Sequence, residues 1–271
     1  MSETAWIEAD WPAPPGVRAI TTRRFGAGVS KPPFDTFNLG VRNGDDVEGV
    51  AANRRELIDV LALPSAPRWL RQVHGTAVAR FGRDDALELV GGDAASVDLT
   101  GRDSDADTAA PEADAAITAT PGTVLAILTA DCLPAVFAAR DGGEIAATHA
   151  GWRGLAGGVL EATAAAMQTP PEGLQVWLGP AAGPAAYEIG ADVRDAFLAH
   201  DPAAQSAFST TRPGHWLIDL YALARQRLIA AGIAADAIFG GNRCTITEPE
   251  HFFSHRRDSQ SGRIATLVWI A

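Results

Sequence analysis

Short apolar segments in the middle of the chain are the feature that most constrains its fold. They cover residues 115–119, 124–128, 135–138 and 144–148, and Pro-Gly and Asp-Gly-Gly sequences mark turns among them. Segments this short, either apolar or alternating and bounded by turn residues, are typical of β-strands. We therefore predict that the four segments are adjacent strands of a sheet.

The other periodic segments mix strands with helices. Strand-like patterns occur at 17–22, 68–73, 76–81, 175–178 and 264–270, and helical spacing occurs at 50–63, 155–167, 191–200 and 220–231. The two kinds do not alternate regularly, and no internal duplication relates them. We therefore predict an α/β (α+β) fold, in which flanking helices cover a mixed β-sheet in a layered domain.

Length and composition favour one domain over residues 1–271. A chain of 271 residues, of which 47% are hydrophobic, can bury a large core. Residues 84–114 are rich in Asp, Gly, Ala and Ser and show little periodicity. We predict that this stretch is a mobile excursion from the domain.

The charge and hydropathy of the chain exclude two classes of partner. The formal net charge of −11 argues against nucleic acid, whose binding depends on clustered Lys and Arg. The first six residues contain neither a basic region nor an apolar stretch, and Asp131 and Pro134 interrupt the longest apolar span. We therefore expect no signal peptide, no membrane partner, and a cytoplasmic, monomeric protein.

Three motifs supply one cysteine and two histidines. Cys132 ends the motif Thr-Ala-Asp-Cys after an apolar run, His149 lies in Thr-His-Ala-Gly-Trp-Arg-Gly after another, and His74 lies in Gln-Val-His-Gly. The first two motifs place a thiol and an imidazole at neighbouring strand ends. Zinc accepts thiolate and imidazole together and keeps one position open in catalytic sites, so the set suits a catalytic metal ion.

The same residues suit two chemistries. In the first, Cys132 is a metal ligand, and the metal activates water or stabilises a leaving group. In the second, Cys132 is a nucleophile that His149 or His74 deprotonates, as in a cysteine amidase. Asp131 either orients an imidazole or caps the turn after its strand. Taken alone, Cys132 also suits a structural core position.

Arginines supply the candidate anion-binding groups. Lys31 is the only lysine in the chain, so nearly all positive charge is on arginine. Arginine favours planar, bidentate hydrogen bonding to phosphate or carboxylate. Five arginines stand beside loop or strand-end signals, namely Arg23, Arg153, Arg256, Arg257 and Arg263. We expect some of them to clamp an anion, and Arg153, in the same motif as His149, is a candidate substrate contact.

With these motifs the chain resembles the YfiH-type laccase-domain family, whose members are also described as polyphenol oxidases, purine nucleoside phosphorylases and peptidoglycan editing factors. The resemblance covers nearly the whole sequence. Its motifs are residues 21–23, 37–40, 44–46, 53–54, 72–75, 129–132, 149–154, 179–180, 187–188 and 252–254. Position 255 departs from the pattern, because His255 stands where tyrosine is common.

The resemblance implies a single α/β domain with zinc held by His74, Cys132 and His149. It implies phosphorolysis of adenosine, inosine, guanosine or methylthioadenosine to the base and ribose 1-phosphate, with adenosine deamination as a second activity. Under the same resemblance, Arg23 and Asn38, which match the family's N-terminal motifs, help to hold the purine nucleoside or phosphate.

Copper is the alternative metal, with polyphenol oxidation as its activity. A multicopper laccase needs many histidine ligands, whereas this chain has six histidines in total. We therefore predict a zinc-dependent purine nucleoside phosphorylase with adenosine deaminase activity, in which Asp131, Cys132 and His149 are catalytic. The alternatives are an amidase that edits peptidoglycan precursors through Cys132, and a binding module without catalysis.

Overall fold

The computed structural model describes residues 4–83, 86–90 and 110–271. Strands and helices alternate irregularly along these ranges. The strands are β1 (Trp6–Glu8), β2 (Val17–Thr22), β3 (Val78–Phe81), β4 (Leu87–Val90), β5 (Ala115–Thr118), β6 (Leu125–Thr129), β7 (Leu133–Ala139), β8 (Ile145–Ala150), β9 (Leu174–Leu178), β10 (Glu188–Gly190), β11 (Phe208–Arg212), β12 (His215–Ile218), β13 (Ile238–Gly240) and β14 (Ile264–Ile270). The α-helices are α1 (Val47–Leu61), α2 (Trp152–Gly157), α3 (Val159–Ala166), α4 (Ala191–His200), α5 (Leu220–Ala230) and α6 (His255–Asp258).

The strands form three sheets. The largest has seven strands in the order β13-β9-β7-β8-β5-β3-β4. It is mixed, because β13 pairs parallel with β9 and β3 pairs parallel with β5, whereas its other pairs are antiparallel. A second, antiparallel sheet has the order β1-β2-β14-β6, and a third has the order β10-β12-β11. The predicted α/β fold with a mixed sheet is confirmed.

The two larger sheets pack face to face between layers of helix. Neighbouring residues of β7 show the arrangement, because successive side chains of a strand point to opposite faces. Val136 packs with Ile127 and Val268 of the four-stranded sheet, whereas Phe137 packs with residues of α3 and α5. The far side of the four-stranded sheet packs against α1 through Leu57. All seven residues of β7 are buried, which explains why its sequence is apolar throughout.

Several predicted elements differ from the observed ones. The helix predicted at 155–167 is two helices, because Gly158, at a φ of 94°, ends α2 in the left-handed region before α3 begins. The strand predicted at 68–73 is wrong: Arg68 and Arg71 form only isolated bridges. The Gln72 side chain instead takes the place of a strand neighbour, since its amide bonds both the N–H and the carbonyl of Leu128.

The Asp-rich stretch contains a strand that its sequence did not predict. Within 84–114, β4 pairs antiparallel with β3 at the edge of the seven-stranded sheet. The prediction of a mobile excursion falls mainly on residues 84–85 and 91–109. These lie outside the described residues. In the described ranges, no helix is both long and apolar enough to cross a membrane.

Candidate metal centre and adjoining cavity

The seven-stranded sheet brings the candidate cysteine and one candidate histidine together at one edge. Strand β7 begins directly after Cys132 and pairs with β8 so that Pro134 lies opposite His149. Strand β5 pairs with the other side of β8 and begins directly after Asp114, whose carbonyl accepts the main-chain N–H of His149 at 2.7 Å. Three strand ends therefore place Cys132, His149 and Asp114 side by side.

His74 reaches the same edge from a turn. Its φ of 64° lies in the left-handed region, which a residue other than glycine adopts only when its surroundings hold it there. The Asp114 carboxylate does so, because it accepts the main-chain N–H groups of Val73, His74 and Gly75 at 3.2, 2.9 and 2.7 Å. The turn is thus tied to the buried start of β5.

The three candidate donor atoms converge on one point. The donor atoms of His74, Cys132 and His149 all lie within 4.8 Å of one another. The Sγ atom of Cys132 is 3.6 Å from Nε2 of His74, and the two imidazole rings meet edge to face with centroids 4.7 Å apart. Gly151 leaves the space for this, since a Cβ there would lie 2.6 Å from Cδ2 of His74 and 3.0 Å from the sulfur.

The donor side chains are strongly coupled electrically. Burial opposes ionisation of the Cys132 thiol, but the charge of His149 and hydrogen bonds from both imidazoles lower the pKa of Cys132 to about 6. Burial alone would lower the pKa of His149, but the Cys132 thiolate and the Asp114 carboxylate raise it to about 9. The site therefore favours the thiolate form, which is the form that binds metals and acts as a nucleophile.

Asp114 is the residue that orients both histidines, and sequence reasoning missed it. Its carboxylate is fully buried, and Oδ1 lies 2.8 Å from Nδ1 of His149. Burial opposes ionisation of this carboxyl, but His149 and the N–H groups of Gly75 and Val73 hold its pKa below the usual value. A carboxylate on Nδ1 makes that nitrogen the donor and leaves Nε2 for a ligand, as in many metal sites.

Asp131 does not have the orienting role that one sequence interpretation gave it. Its Oδ1 accepts the hydroxyl of Thr245 and its Oδ2 accepts the main-chain N–H of Arg256, both at 2.6 Å. The φ of Asp131 is 93°, so the residue forms a tight turn between β6 and β7. The capping alternative therefore describes its contacts, and the carboxylate that holds an imidazole is Asp114.

A cavity of about 430 Å³ opens onto the donor atoms. Its walls combine apolar and basic side chains. The residues that line it include His74, Cys132 and His149 together with Leu70, Leu128, Thr129, Arg42, His255 and Arg263. Sequence reasoning named Arg263 among five arginines but missed Arg42 and Thr129. The available signal for Thr129 was its position as the first residue of the motif Thr-Ala-Asp-Cys.

Asn38 is a structural residue beside this cavity rather than part of its wall. It has no exposed surface, so direct contact with substrate is excluded in this conformation. Its Oδ1 accepts the main-chain N–H groups of Gly40 and Arg263 at 3.0 and 2.8 Å, and its Nδ2 donates to Asp45 at 2.8 Å. Asn38 thus positions two segments that do line the cavity.

Arg153 and Arg23 lie outside the cavity. Arg153 is exposed, stacks on Trp152 with 4.3 Å between the guanidinium carbon and the ring centroid, and lines a separate recess of about 360 Å³ with Arg256. Among the described residues, those lining the donor-site cavity do not include Arg23, whose main-chain N–H donates to Ala5. The structure therefore does not bring either predicted arginine to the three donors.

The donor set fits a single zinc ion. A thiolate and two imidazoles that converge from fixed strand ends, with a carboxylate behind one imidazole and an open cavity in front, match a three-ligand catalytic zinc site. They do not match a cluster of several coppers, which requires many more histidines. All six histidines lie in the described ranges, and only His74 and His149 join such a donor group there.

The sequence is similar to a protein family and to named proteins along almost its whole length. The family model for multi-copper polyphenol oxidoreductase laccase matches residues 18–271. The chain is 56% identical over 270 residues to a purine nucleoside phosphorylase of Xylella fastidiosa, with 98% of this chain and 97% of that one covered. It is 47% identical over 264 residues to the purine nucleoside phosphorylase YfiH of Escherichia coli, with 97% and 98% covered.

A solved structure matches the fold as a whole. The crystal structure of a Neisseria meningitidis protein superposes with a TM-score of 0.84 at 40% sequence identity, covering 98% of this chain and 99% of that one. The resemblance that the sequence motifs indicated is therefore confirmed along essentially the full length.

Proposed function

This chain belongs to the multi-copper polyphenol oxidoreductase laccase family, and from that membership and its His-Cys-His site we propose that it is a zinc-dependent purine nucleoside phosphorylase. The observation that carries the proposal is the convergence of His74, Cys132 and His149 within 4.8 Å at a cavity of about 430 Å³. A cavity of this size suits a small ligand such as a nucleoside. Relatives that are 47–56% identical over their full length bear the name purine nucleoside phosphorylase.

The side chains of the site have different roles in the proposed reaction. Zinc, when bound by His74, Cys132 and His149, supplies Lewis acidity that stabilises negative charge developing on the substrate. Asp114 accepts a hydrogen bond from Nδ1 of His149, so that Nε2 is the ring nitrogen left to bind the metal once its proton is displaced. Leu70 and Leu128 provide an apolar wall for a purine ring. The basic side chains of the cavity, Arg42, His255 and Arg263, provide positive charge for phosphate.

The reaction exchanges one bond at the ribose carbon. A phosphate oxygen forms a bond to C1′ while the bond from C1′ to the purine nitrogen breaks. The electron pair of that bond goes to the purine, which takes the proton that hydrogen phosphate brings, so base and ribose 1-phosphate are the products. A site that holds phosphate in line with C1′ favours phosphate over water as the nucleophile.

We propose adenosine deamination as a second activity of the same site, in which water adds at C6 of the purine and the amino group leaves, so that inosine and ammonia are the products. Cys132 and His149 are catalytic in this proposal because they hold the metal next to the substrate. Asp131 is a positioning residue in this proposal, because its two oxygens accept hydrogen bonds from the Thr245 hydroxyl and the main-chain N–H of Arg256.

The test is direct product analysis. Purified, zinc-loaded protein is incubated with inosine or adenosine and phosphate, and bases, ribose 1-phosphate and inosine are quantified by chromatography. We expect phosphate-dependent release of hypoxanthine or adenine with ribose 1-phosphate, and its loss in the Cys132→Ala variant. Absence of product above that variant, in the presence or absence of zinc, would overturn the proposal.

One observation favours a second candidate, a cysteine amidase acting on peptidoglycan precursors. Cys132, His149 and Asp114 also have the order of nucleophile, base and orienting acid, and the lowered pKa of Cys132 fits a nucleophile. The two candidates respond oppositely to a chelator. A phosphorylase that depends on zinc loses activity when zinc is removed, whereas a cysteine amidase keeps its activity and becomes sensitive to iodoacetamide.

A further inference from the structure

Arg263 is a half-buried cation that forms no ion pair with a carboxylate among the described residues. Burial lowers its pKa, although the negative charges of Cys132 and Asp131 nearby partly offset that effect. By contrast, Arg227 is paired with Glu161, and Arg243 is paired with Glu248. A cation withdrawn from water is stabilised by a negative charge held close to it, and Arg263, which forms no ion pair with a described carboxylate, lines the cavity of the candidate metal centre.

The protein holds this guanidinium in one position. The main-chain N–H of Arg263 donates to Oδ1 of Asn38, and its Nη1 donates to the carbonyls of Ser261 and Gly262 at 2.8 and 2.9 Å. Its stem lies against Gly40, where a Cβ would stand 2.6 Å from Cγ of Arg263. In the described part of the chain, Nε and Nη2 have no hydrogen-bond acceptor, so they are available to a ligand.

A second polar group on the same cavity wall also lacks a partner. Thr129 is 1% exposed, and no described residue hydrogen-bonds its Oγ1. It is close to Arg263 in the sheet, because its cross-strand partner in β14 is Ile264, the residue that follows Arg263. A buried hydroxyl without a partner is uncommon, and this one lines the same cavity as the unpaired guanidinium.

Two more of the five arginines that the sequence singled out have other partners. Arg257 donates to the carbonyls of Thr245 and Phe252 and pairs with Asp258. Arg256 stacks on Tyr187, donates to the carbonyl of Glu188, and belongs to the separate recess. These contacts leave Arg263 as the strongest candidate of the five arginines that the sequence singled out.

We propose that Arg263, assisted by the hydroxyl of Thr129, binds the phosphate that attacks the nucleoside. The inference rests on the proposed function, because phosphate is a reactant only in phosphorolysis. The free edge of the guanidinium offers two parallel N–H donors, which match two oxygens of one phosphate. The chain has a net charge of −11, so an anion needs a locally positive site, and a cation fixed in the cavity wall provides it.

The test separates phosphate binding from catalysis. Arg263→Gln is compared with Arg140→Gln, an exposed arginine at the turn after β7. We measure the KM for phosphate at saturating inosine, the KM for inosine at saturating phosphate, and the Kd of inorganic phosphate by titration calorimetry. We expect Arg263→Gln to raise the KM and Kd for phosphate by about 10- to 100-fold, as for loss of a charge-assisted contact, while zinc content and the KM for inosine change little.

A milder variant covers the possibility that Arg263→Gln does not fold. Arg263→Lys keeps the charge and the stem but loses the two-pronged contact, so we expect a several-fold higher KM for phosphate. Should neither variant fold, a crystal structure of the unaltered protein with phosphate is the deciding measurement. Phosphate on Arg263 supports the proposal, and phosphate only in the recess lined by Arg153 and Arg256, or none in the cavity, overturns it.

The outcomes for the function and for this site differ. If the unaltered protein releases no base, the proposed function fails, and the Kd for phosphate still tests the binding site. If the unaltered protein is a phosphorylase and Arg263→Gln binds phosphate as tightly as Arg140→Gln, only the assignment of Arg263 is wrong.

Discussion

Oδ1 of Asp114 lies 2.8 Å from Nδ1 of His149, inside the fully buried start of β5. The same carboxylate also accepts three main-chain N–H groups from the turn that carries His74. One buried side chain thereby sets the positions of both imidazoles of the donor group. Cys132 joins the group from the start of β7, which β8 separates from β5 in the sheet. The geometry of the centre therefore depends on the sheet and on Asp114 together.

Replacing this carboxylate should weaken metal binding before it abolishes folding. In Asp114→Asn the charge is lost and only one oxygen remains for four donors. We expect zinc affinity to fall by about 10- to 100-fold, the usual effect of removing a carboxylate that orients a histidine ligand. Competition with a chromophoric chelator measures it. The exposed Asp59→Asn on α1 is the matched control, and equal zinc affinity in the two variants would show that Asp114 does not position the ligands.

Adding one methyl group at Gly151 should separate the donors. The backbone of Gly151 has a φ of −60°, which alanine adopts without strain, so the effect is steric. The new Cβ would lie 2.6 Å from Cδ2 of His74 and 3.0 Å from Sγ of Cys132, well inside normal contact distance.

We expect the purified Gly151→Ala variant to contain less than about a tenth of the zinc of the parent. Gly82→Ala is the control, since a Cβ there meets its first neighbour at 3.4 Å. Full zinc occupancy in Gly151→Ala, measured by elemental mass spectrometry, would contradict the convergence of the donors next to this residue.

In the metal-free protein, Cys132 should be reactive at mildly acidic pH. The charge of His149 and hydrogen bonds from both imidazoles lower the pKa of Cys132 to about 6, against the effect of burial. The thiolate fraction rises with pH, so the rate of alkylation by iodoacetamide should reach half its maximum near pH 6. Mass spectrometry of the alkylated peptide gives this profile.

The same measurement in His149→Ala tests the cause of that reactivity. Removal of the imidazole takes away its charge and its hydrogen bond, so the midpoint should move to higher pH. Zinc should protect Cys132 in the parent protein at neutral pH, and protection should weaken in acid as protons compete for the ligands. An unchanged midpoint in His149→Ala, or alkylation unaffected by zinc, would show that the thiol and the imidazole are not coupled as described.

Asn38 should act through stability and through the position of Arg263. Asn38→Ala leaves the buried N–H groups of Gly40 and Arg263 without their acceptor. We expect a loss of about 1–3 kcal/mol in the free energy of unfolding, measured by urea denaturation, together with a higher KM for phosphate. The exposed Asn242→Ala should change stability by less than about 0.5 kcal/mol. A higher KM in Asn38→Ala without any loss of stability would instead indicate direct contact with substrate.

The convergence of the donors could be predicted because it follows from strand ends. Cys132 and His149 each follow an apolar run, and β7 and β8 are antiparallel neighbours, so the start of one lies beside the end of the other. Sequence patterns identify such buried strands well. His74 could be named as a third candidate donor from its own motif, but a histidine in a turn has no periodic signal that places it in space, and its binding to the same metal ion was implied by the family resemblance.

Asp114 could not be identified in the same way. In sequence it closes a long stretch of Asp, Gly, Ala and Ser, and that stretch has no periodic pattern that would single out one aspartate as buried. Its role comes from contacts with Gly75, 39 residues away, and His149, 35 residues away. The available signal was its place directly before β5, the same kind of strand end that identified Cys132 and His149.

The three-stranded sheet shows a second limit. Four of the five residues of β11 are exposed, and Ser, Thr and Arg dominate its sequence, so its apolar periodicity is weak. Strand pairing with β12 and β10 defines it, and that pairing is tertiary information. The segment around Gln72 shows the reverse error, because its sequence resembles a strand but it forms none. There the Gln72 side-chain amide hydrogen-bonds the backbone of Leu128, where a strand would use its own backbone.

The most direct test of the account is the metal stoichiometry of the purified protein and its ligand variants. Protein isolated without chelators is analysed by elemental mass spectrometry, alongside His74→Ala, Cys132→Ala, His149→Ala and the exposed-histidine control His200→Ala. We predict about one zinc per chain in the parent and the control, and a near-complete loss in each of the three ligand variants. Equal zinc in all five proteins, or no transition metal bound by the parent after incubation with zinc, would contradict the central claim that these three side chains form one metal site.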